Sequence, residues 1–192
     1  SDVCSSDLAI EHRKRIISMS FFQSRTWYLL RTMGVTSASM FTGDFICQKI
    51  RNPKGSWEKS RSLTLGITGL FVTGPAIHCI FLIMEKLFAG KSSNAIVHKL
   101  IGNRTLAFVQ TGLTFSTVVL LQGGGWNEVK KKLRQDLGST WMIGNLFWVP
   151  VNFAQYKWLP VYARAPVSSA AGMFWNIFLA YQLAKPIKNK HA

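Results

Sequence analysis

Short clusters of Lys and Arg divide this chain into long stretches without charge. Gly66–Met84 is 19 residues without Asp, Glu, Lys or Arg, and Thr105–Asn127 is 23. Gly138–Tyr156 adds 19 and Ala165–Ala184 adds 20, while Thr32–Gln48 is interrupted only by Asp44. A helix needs about 20 mostly apolar residues to cross the hydrocarbon core of a bilayer. The stretches are too long for barrel strands and lack their period-2 alternation. The pattern predicts an all-α, polytopic transmembrane helical bundle with about four membrane-spanning helices.

Two further elements are expected. The 139–163 region holds Trp141, Trp148, Trp158, Pro150 and Pro160 together with Asn145, Asn152 and Gln155. Trp favours interfaces and proline kinks helices, so a broken or tilted helix against the bundle is expected there. Before it, Trp126, Val129, Leu133 and Leu137 fall on one helical face, with Lys130, Lys131, Lys132 and Arg134 filling much of the rest. That spacing predicts a basic amphipathic interfacial helix that meets anionic headgroups, unless it is a solvated charged loop. Small residues four apart (Gly34/Ala38, Gly69/Thr73, Gly112/Ser116, Ser168/Gly172) would let helix backbones approach closely.

Composition strengthens the membrane reading. Of 192 residues only 16% are charged, against about 25% in soluble domains. The excess of 23 Lys and Arg over 8 Asp and Glu lies in the loops and is not spread over a soluble surface, so no direct nucleic-acid binding is expected. Every loop is basic, which leaves orientation open. Cys4, Cys47 and Cys79 form neither a disulfide framework nor a zinc site. Residues 1–18 read as a non-native or disordered extension, 19–185 as one transmembrane domain and 186–192 as a basic tail. The acid-poor stretch after Met19, bearing Arg25 and Arg31, is compatible with a mitochondrial address.

Ionisable groups inside a span must face the bundle or a wet cavity. Asp44 and Gln48 share a face of the first span; His78 and Glu85 share one of the second. Gln110 lies in the third and Asn176 in the last. These groups either line a hydrophilic path or tie helices together by hydrogen bonds. Arg164 is a candidate partner for Asp44 or Glu85. No nucleophile–base pair, metal-ligand cluster or phosphate loop is present, so neither enzymatic activity nor a cofactor is expected.

The motifs resemble those of a known family. Gly43-Asp44 followed by Gln48 resembles the signature that closes the first span of the Mpv-seventeen / peroxisomal membrane protein family. Glu58, Arg61, Gly69, Gly74-Pro75 and His78 resemble its next segment at the right spacings, and Lys99 fits a single Lys that follows. Trp148, Pro160, Arg164, Trp175-Asn176 and Leu179 resemble its C-terminal pattern. The order and spacing hold from Tyr28 to Tyr181. Departures occur too: the family's Asp-Gln pair reads Asn103-Arg104 here, and its second Arg in the Gly-Pro segment reads Thr64.

This resemblance implies a multi-pass protein of the mitochondrial inner membrane, or of the peroxisomal membrane, similar to non-selective channels for small solutes. It further implies roles in membrane homeostasis and reactive-oxygen metabolism. In a channel, Asp44, Gln48, His78 and Asn176 would line the path, with Lys99 and Arg164 setting charge at its mouths. A wide conduit would need a homo-oligomer. The alternative is a non-conducting assembly protein that uses the same polar groups as glue and holds anionic lipid such as cardiolipin.

Overall fold

A computed structural model describes the backbone of residues 2–88, 92–158 and 161–187. It describes the side chains of 26–187, apart from Phe81, Glu85, 89–91, Tyr156, 159–166 and Ser169. Of the positions singled out in the sequence, Pro160 and the side chains of Glu85, Arg164 and residues 1–18 lie outside the described residues.

Among the described residues the chain is helical throughout, without strands. Helix α1 spans Asp2–Arg51. Helix α2 (Lys59–Thr68) leads through a π-turn at Gly69–Thr73 into α3 (Gly74–Leu87). Helix α4 (Ser93–Leu121) starts where the Ser92 Oγ accepts a hydrogen bond from the Ala95 N–H at 3.3 Å. Helices α5 (Trp126–Lys132) and α6 (Gly138–Trp158) are joined by a second π-turn, Leu133–Leu137, and α7 covers Val161–Leu183.

Two expectations change here. The basic amphipathic stretch is not a separate interfacial helix, because α5, its π-turn and α6 form one unbroken helical run. Nor is that run broken at Pro150. Proline deprives the Leu146 carbonyl of its i+4 donor, and the helix continues through that single loss on its exposed face. Pro75 follows the other π-turn, where the missing N–H coincides with the widened ladder.

The runs alternate in direction. The α1 and α2–α3 runs are antiparallel and close, since a Cβ on Gly69 would lie 2.9 Å from the Ser37 Cα, and one on Gly74 2.8 Å from the Met33 Cα. Helices α3 and α4 are antiparallel through the Thr73–Thr114 hydroxyl pair at 3.0 Å and the stacked Phe88 and His98 rings. Leu137 beside Gly112, and Trp141 beside Phe108, set the α5–α6 run antiparallel to α4. Trp175 stacks on Phe147 and leans over Gly144, fixing α7 against α6. Helix α7 returns parallel to α1, where Gly43 admits Asn176.

The outer surface carries Phe71, Ile101, Leu146 and Phe174, while Asp44, Ser62, Thr73, His78, Thr114 and Thr140 are buried. A soluble fold sorts its side chains the other way, and this one suits a lipid solvent. Two runs among the described residues are long and apolar enough to cross a membrane, Lys59–Met84 and Ser93–Leu121. Gly138–Tyr156 carries Trp141, Trp148, Asn145, Asn152 and Gln155, so it lacks charge without being strongly apolar.

Candidate functional site

Asp44, the one acid in the first charge-free stretch, is fully buried near the C-terminal end of α1. A bare carboxylate there would cost several kcal/mol, so partners must surround it. Arg61 Nη2 donates to its Oδ1 at 2.6 Å, and Ser62 Oγ and Gln48 Nε2 donate to its Oδ2 at 2.8 and 2.7 Å. The antiparallel register of α1 and α2 brings Arg61 and Ser62 opposite Asp44. Gln48 also accepts from the Glu58 N–H at 2.8 Å, and Trp57 Nε1 donates to Ser62 Oγ at 3.0 Å. Arg61 reaches on to the Ala180 carbonyl of α7 at 3.3 Å. Asp44 and Gln48 are therefore the centre of a joint between three helices, and the partner of Asp44 is Arg61 where the sequence suggested Arg164.

A second joint lies at the same end of the bundle. Lys132, expected to face lipid headgroups, is 2% exposed. Its Nζ donates to the Gln182 and Lys185 carbonyls at 2.9 and 2.8 Å and pairs with Asp136 at 2.8 Å. The two carbonyl contacts cap the C-terminus of α7, while Asp136 Oδ2 stands at ion-pair distance without accepting a hydrogen bond. Lys130, Lys131 and Arg134 remain outside, beside the exposed Trp126. Between the two joints opens a cavity of about 710 Å³, lined by Arg61, Thr64, Gly124, Glu128, Lys132 and Lys185 among others.

The other predicted polar groups do not converge on Asp44. Asn176 Nδ2 donates to Ser39 Oγ at 2.8 Å, between α7 and α1. His78 is buried with its ring 5.3 Å from that of Tyr28, and its Nδ1 has no hydrogen-bond partner. Gln110 is half-buried on α4 and Lys99 is buried on the same helix. The family-motif residues Gly43, Gly74, Pro75 and Trp175 occupy close helix contacts.

Sequence reasoning missed a different set, on the seam between α4 and α6. Arg104 Nε and Asn145 Oδ1 are buried there without a hydrogen-bond partner; Thr140 Oγ1 is also unpartnered, but it lies one turn before Gly144, on the side of α6 that meets Trp175 of α7. Trp141 Nε1 donates to the Arg104 carbonyl at 2.9 Å, which holds α6 against α4 at this level. With Leu137 beside Gly112 and Trp141 beside Phe108, the register sets Asn145 opposite Arg104. The available signal was Arg104 itself, a cation at the edge of a 23-residue charge-free stretch.

Residues 119–180, from the end of α4 into α7, match the family described as Mpv17 / PMP22. Over those residues the chain is similar to the Mpv17 / PMP22 family. Similarity to individual Mpv17 / PMP22 relatives reaches well beyond that segment. PXMP2/4 family protein 4 of Dictyostelium discoideum is 27% identical over 80% of this chain and 85% of its own length. Peroxisomal membrane protein 2 of Bos taurus is 27% identical over 78% of each chain. Mitochondrial inner membrane protein Mpv17 of Danio rerio is 23% identical over 79% of this chain and 88% of its own length. No solved structure matches.

Proposed function

We propose that this chain is a multi-pass channel for small solutes, in the mitochondrial inner membrane or, alternatively, the peroxisomal membrane. The names of its Mpv17 and peroxisomal relatives support those two membranes. The α2–α3 run, α4, the α5–α6 run and α7 cross the bilayer, and α1 packs parallel to α7. Its task is passage, without catalysis or a cofactor.

The observation that carries this reading is the pair of orphaned polar atoms on the α4–α6 seam, Arg104 Nε and Asn145 Oδ1. A buried donor or acceptor without a partner costs about 1–3 kcal/mol, and more in lipid. Two on one seam are tolerable if water or a polar solute enters there. The conducting path therefore follows α4 and α6, away from Asp44, Gln48 and Asn176, which are occupied in joints.

Purified full-length protein in planar bilayers tests this. Reproducible opening steps are expected, altered by Asn145→Leu and kept by the Asn176→Ala variant. A silent bilayer containing folded, inserted protein would end the channel reading.

A second reading has its own observation. Asp44–Arg61 and Asn176–Ser39 tie α1 to α2 and α7, and Lys132 ties α5 to the end of α7, which gives much of the bundle the character of a rigid frame. On that reading the protein is a non-conducting assembly factor whose exposed Trp126, Lys130, Lys131 and Arg134 hold anionic lipid such as cardiolipin. Changing those three cations to Gln should then weaken binding to cardiolipin-containing vesicles; unchanged binding would end it.

A further inference from the structure

Where the end of α7 meets the α5–α6 run, the Lys132 joint leaves a group of buried polar side chains incomplete. Asp136 is 4% exposed, Gln182 2% and Thr140 0%. Each keeps a buried polar atom without a hydrogen-bond partner: Asp136 Oδ2, Thr140 Oγ1 and Gln182 Oε1. Lys132 Nζ lies 2.8 Å from Asp136 Oδ2 and 2.9 Å from the Gln182 carbonyl, which sets Gln182 beside Asp136. Thr140 follows Asp136 by four residues on the same side of a continuous helical run.

Helical side chains lean toward the N-terminus of their own helix, and α6 and α7 are antiparallel, with Gly144 at Trp175 and Lys132 at Gln182. Thr140 therefore leans back toward Asp136, while Gln182 leans along α7 toward the level of Thr140. Leu133, Leu179 and Leu183 of the adjoining apolar cluster offer these side chains only carbon. A cavity of about 410 Å³, lined by Gln135, Asp136, Ser139, Lys185 and Pro186, reaches the Asp136 end of the group.

We propose that Asp136, Thr140 and Gln182 form a binding site for ordered water, fed from that cavity, which completes the Lys132 clamp and latches α7 to α6. The carboxylate and amide oxygens only accept, and the hydroxyl donates or accepts. Water matches this set, because it donates twice and accepts from Thr140. Buried water typically makes about three hydrogen bonds to groups that are otherwise unpaired. A metal cation would also meet three oxygens, but the Lys132 ammonium already stands at the same carboxylate oxygen and repels it. The site does not depend on the channel reading.

A crystal structure of the full wild-type chain grown from a lipid mesophase is the first test. A discrete solvent peak is expected within hydrogen-bond distance of Thr140 Oγ1 and of Asp136 Oδ2 or Gln182 Oε1. An empty site, or a direct bond between Thr140 and Gln182, overturns the proposal. Thermal midpoints in detergent test it independently by their sign. Thr140→Val and Gln182→Met each break bonds to the water and are expected to lower the midpoint by a few degrees, while Thr140→Ser retains it. In a dry site both changes would remove an unsatisfied polar atom, so a raised or unmoved midpoint overturns the proposal. The wild-type midpoint is expected to be the same in sodium, potassium and choline chloride at one ionic strength. A rise with sodium or potassium alone would give the site to a cation and overturn the water assignment.

Discussion

The corner formed by α1, α2 and α7 and the seam between α4 and α6 both bury polar side chains, but they treat them in opposite ways. At the corner each oxygen of Asp44 meets a donor, and Arg61 ties in the α7 backbone as well. Along the seam Arg104 and Asn145 each keep a buried polar atom without a partner. Paired groups in a low-dielectric interior hold helices in register; unpaired ones need a guest. On the channel reading proposed above, the comparison separates the parts of this bundle that hold it together from the part a solute would enter.

The largest effect should come from opening the corner. Arg61→Ala leaves the Asp44 carboxylate buried with its counter-ion gone, which costs about 3–5 kcal/mol. The loss should register as a fall in the thermal midpoint in detergent, and an unchanged midpoint would mean that the joint is not closed. Lys132→Met comes next, at roughly 3 kcal/mol, because it strands Asp136 and uncaps α7. Gln at Lys130, Lys131 and Arg134 should change stability by less than about 0.5 kcal/mol. This contrast splits one basic cluster into a buried clamp and an exposed face. Asn176→Ala removes one hydrogen bond to Ser39 and should cost about 1 kcal/mol in the same assay. Arg104→Leu should cost nothing or stabilise slightly, since its Nε is buried without a hydrogen-bond partner and no ion pair among the described residues includes it. A large destabilisation from that change would erase the distinction between corner and seam.

Much of this bundle is legible in the sequence. The charge-free stretches mark the helical runs, and the four-residue spacing of Asp44 and Gln48 gives their bond directly. Gly69 fulfils the close approach expected of small residues, whereas a Cβ on Gly34 would meet nothing within 4 Å, because which small residue faces a neighbour depends on helix rotation. The partner of Asp44 was obscured because Arg61 is 17 positions away across a loop, and only the antiparallel register of α1 and α2 brings it near. Lys132 illustrates the same limit. Its neighbours Lys130 and Lys131 face out, but its position three after the buried Val129 and four before Asp136 turns it inward. Absence of charge also proved a weaker signal than apolarity: Trp, Asn and Gln keep 138–156 charge-free without making it greasy. The seam was least legible, since an orphaned atom is defined by what does not surround it.

Water access to the seam, compared with the corner, is the most direct measurement. Cys47 is buried beside Asp44 and serves as the internal reference. In a Cys4→Ser, Cys79→Ser background, reconstituted protein carrying Asn145→Cys is treated with a charged, membrane-impermeant thiol reagent. Labelling at position 145 with Cys47 untouched is the expected result. An unreactive 145, or labelling of Cys47 at the same rate, would contradict the division between a closed corner and a wet seam.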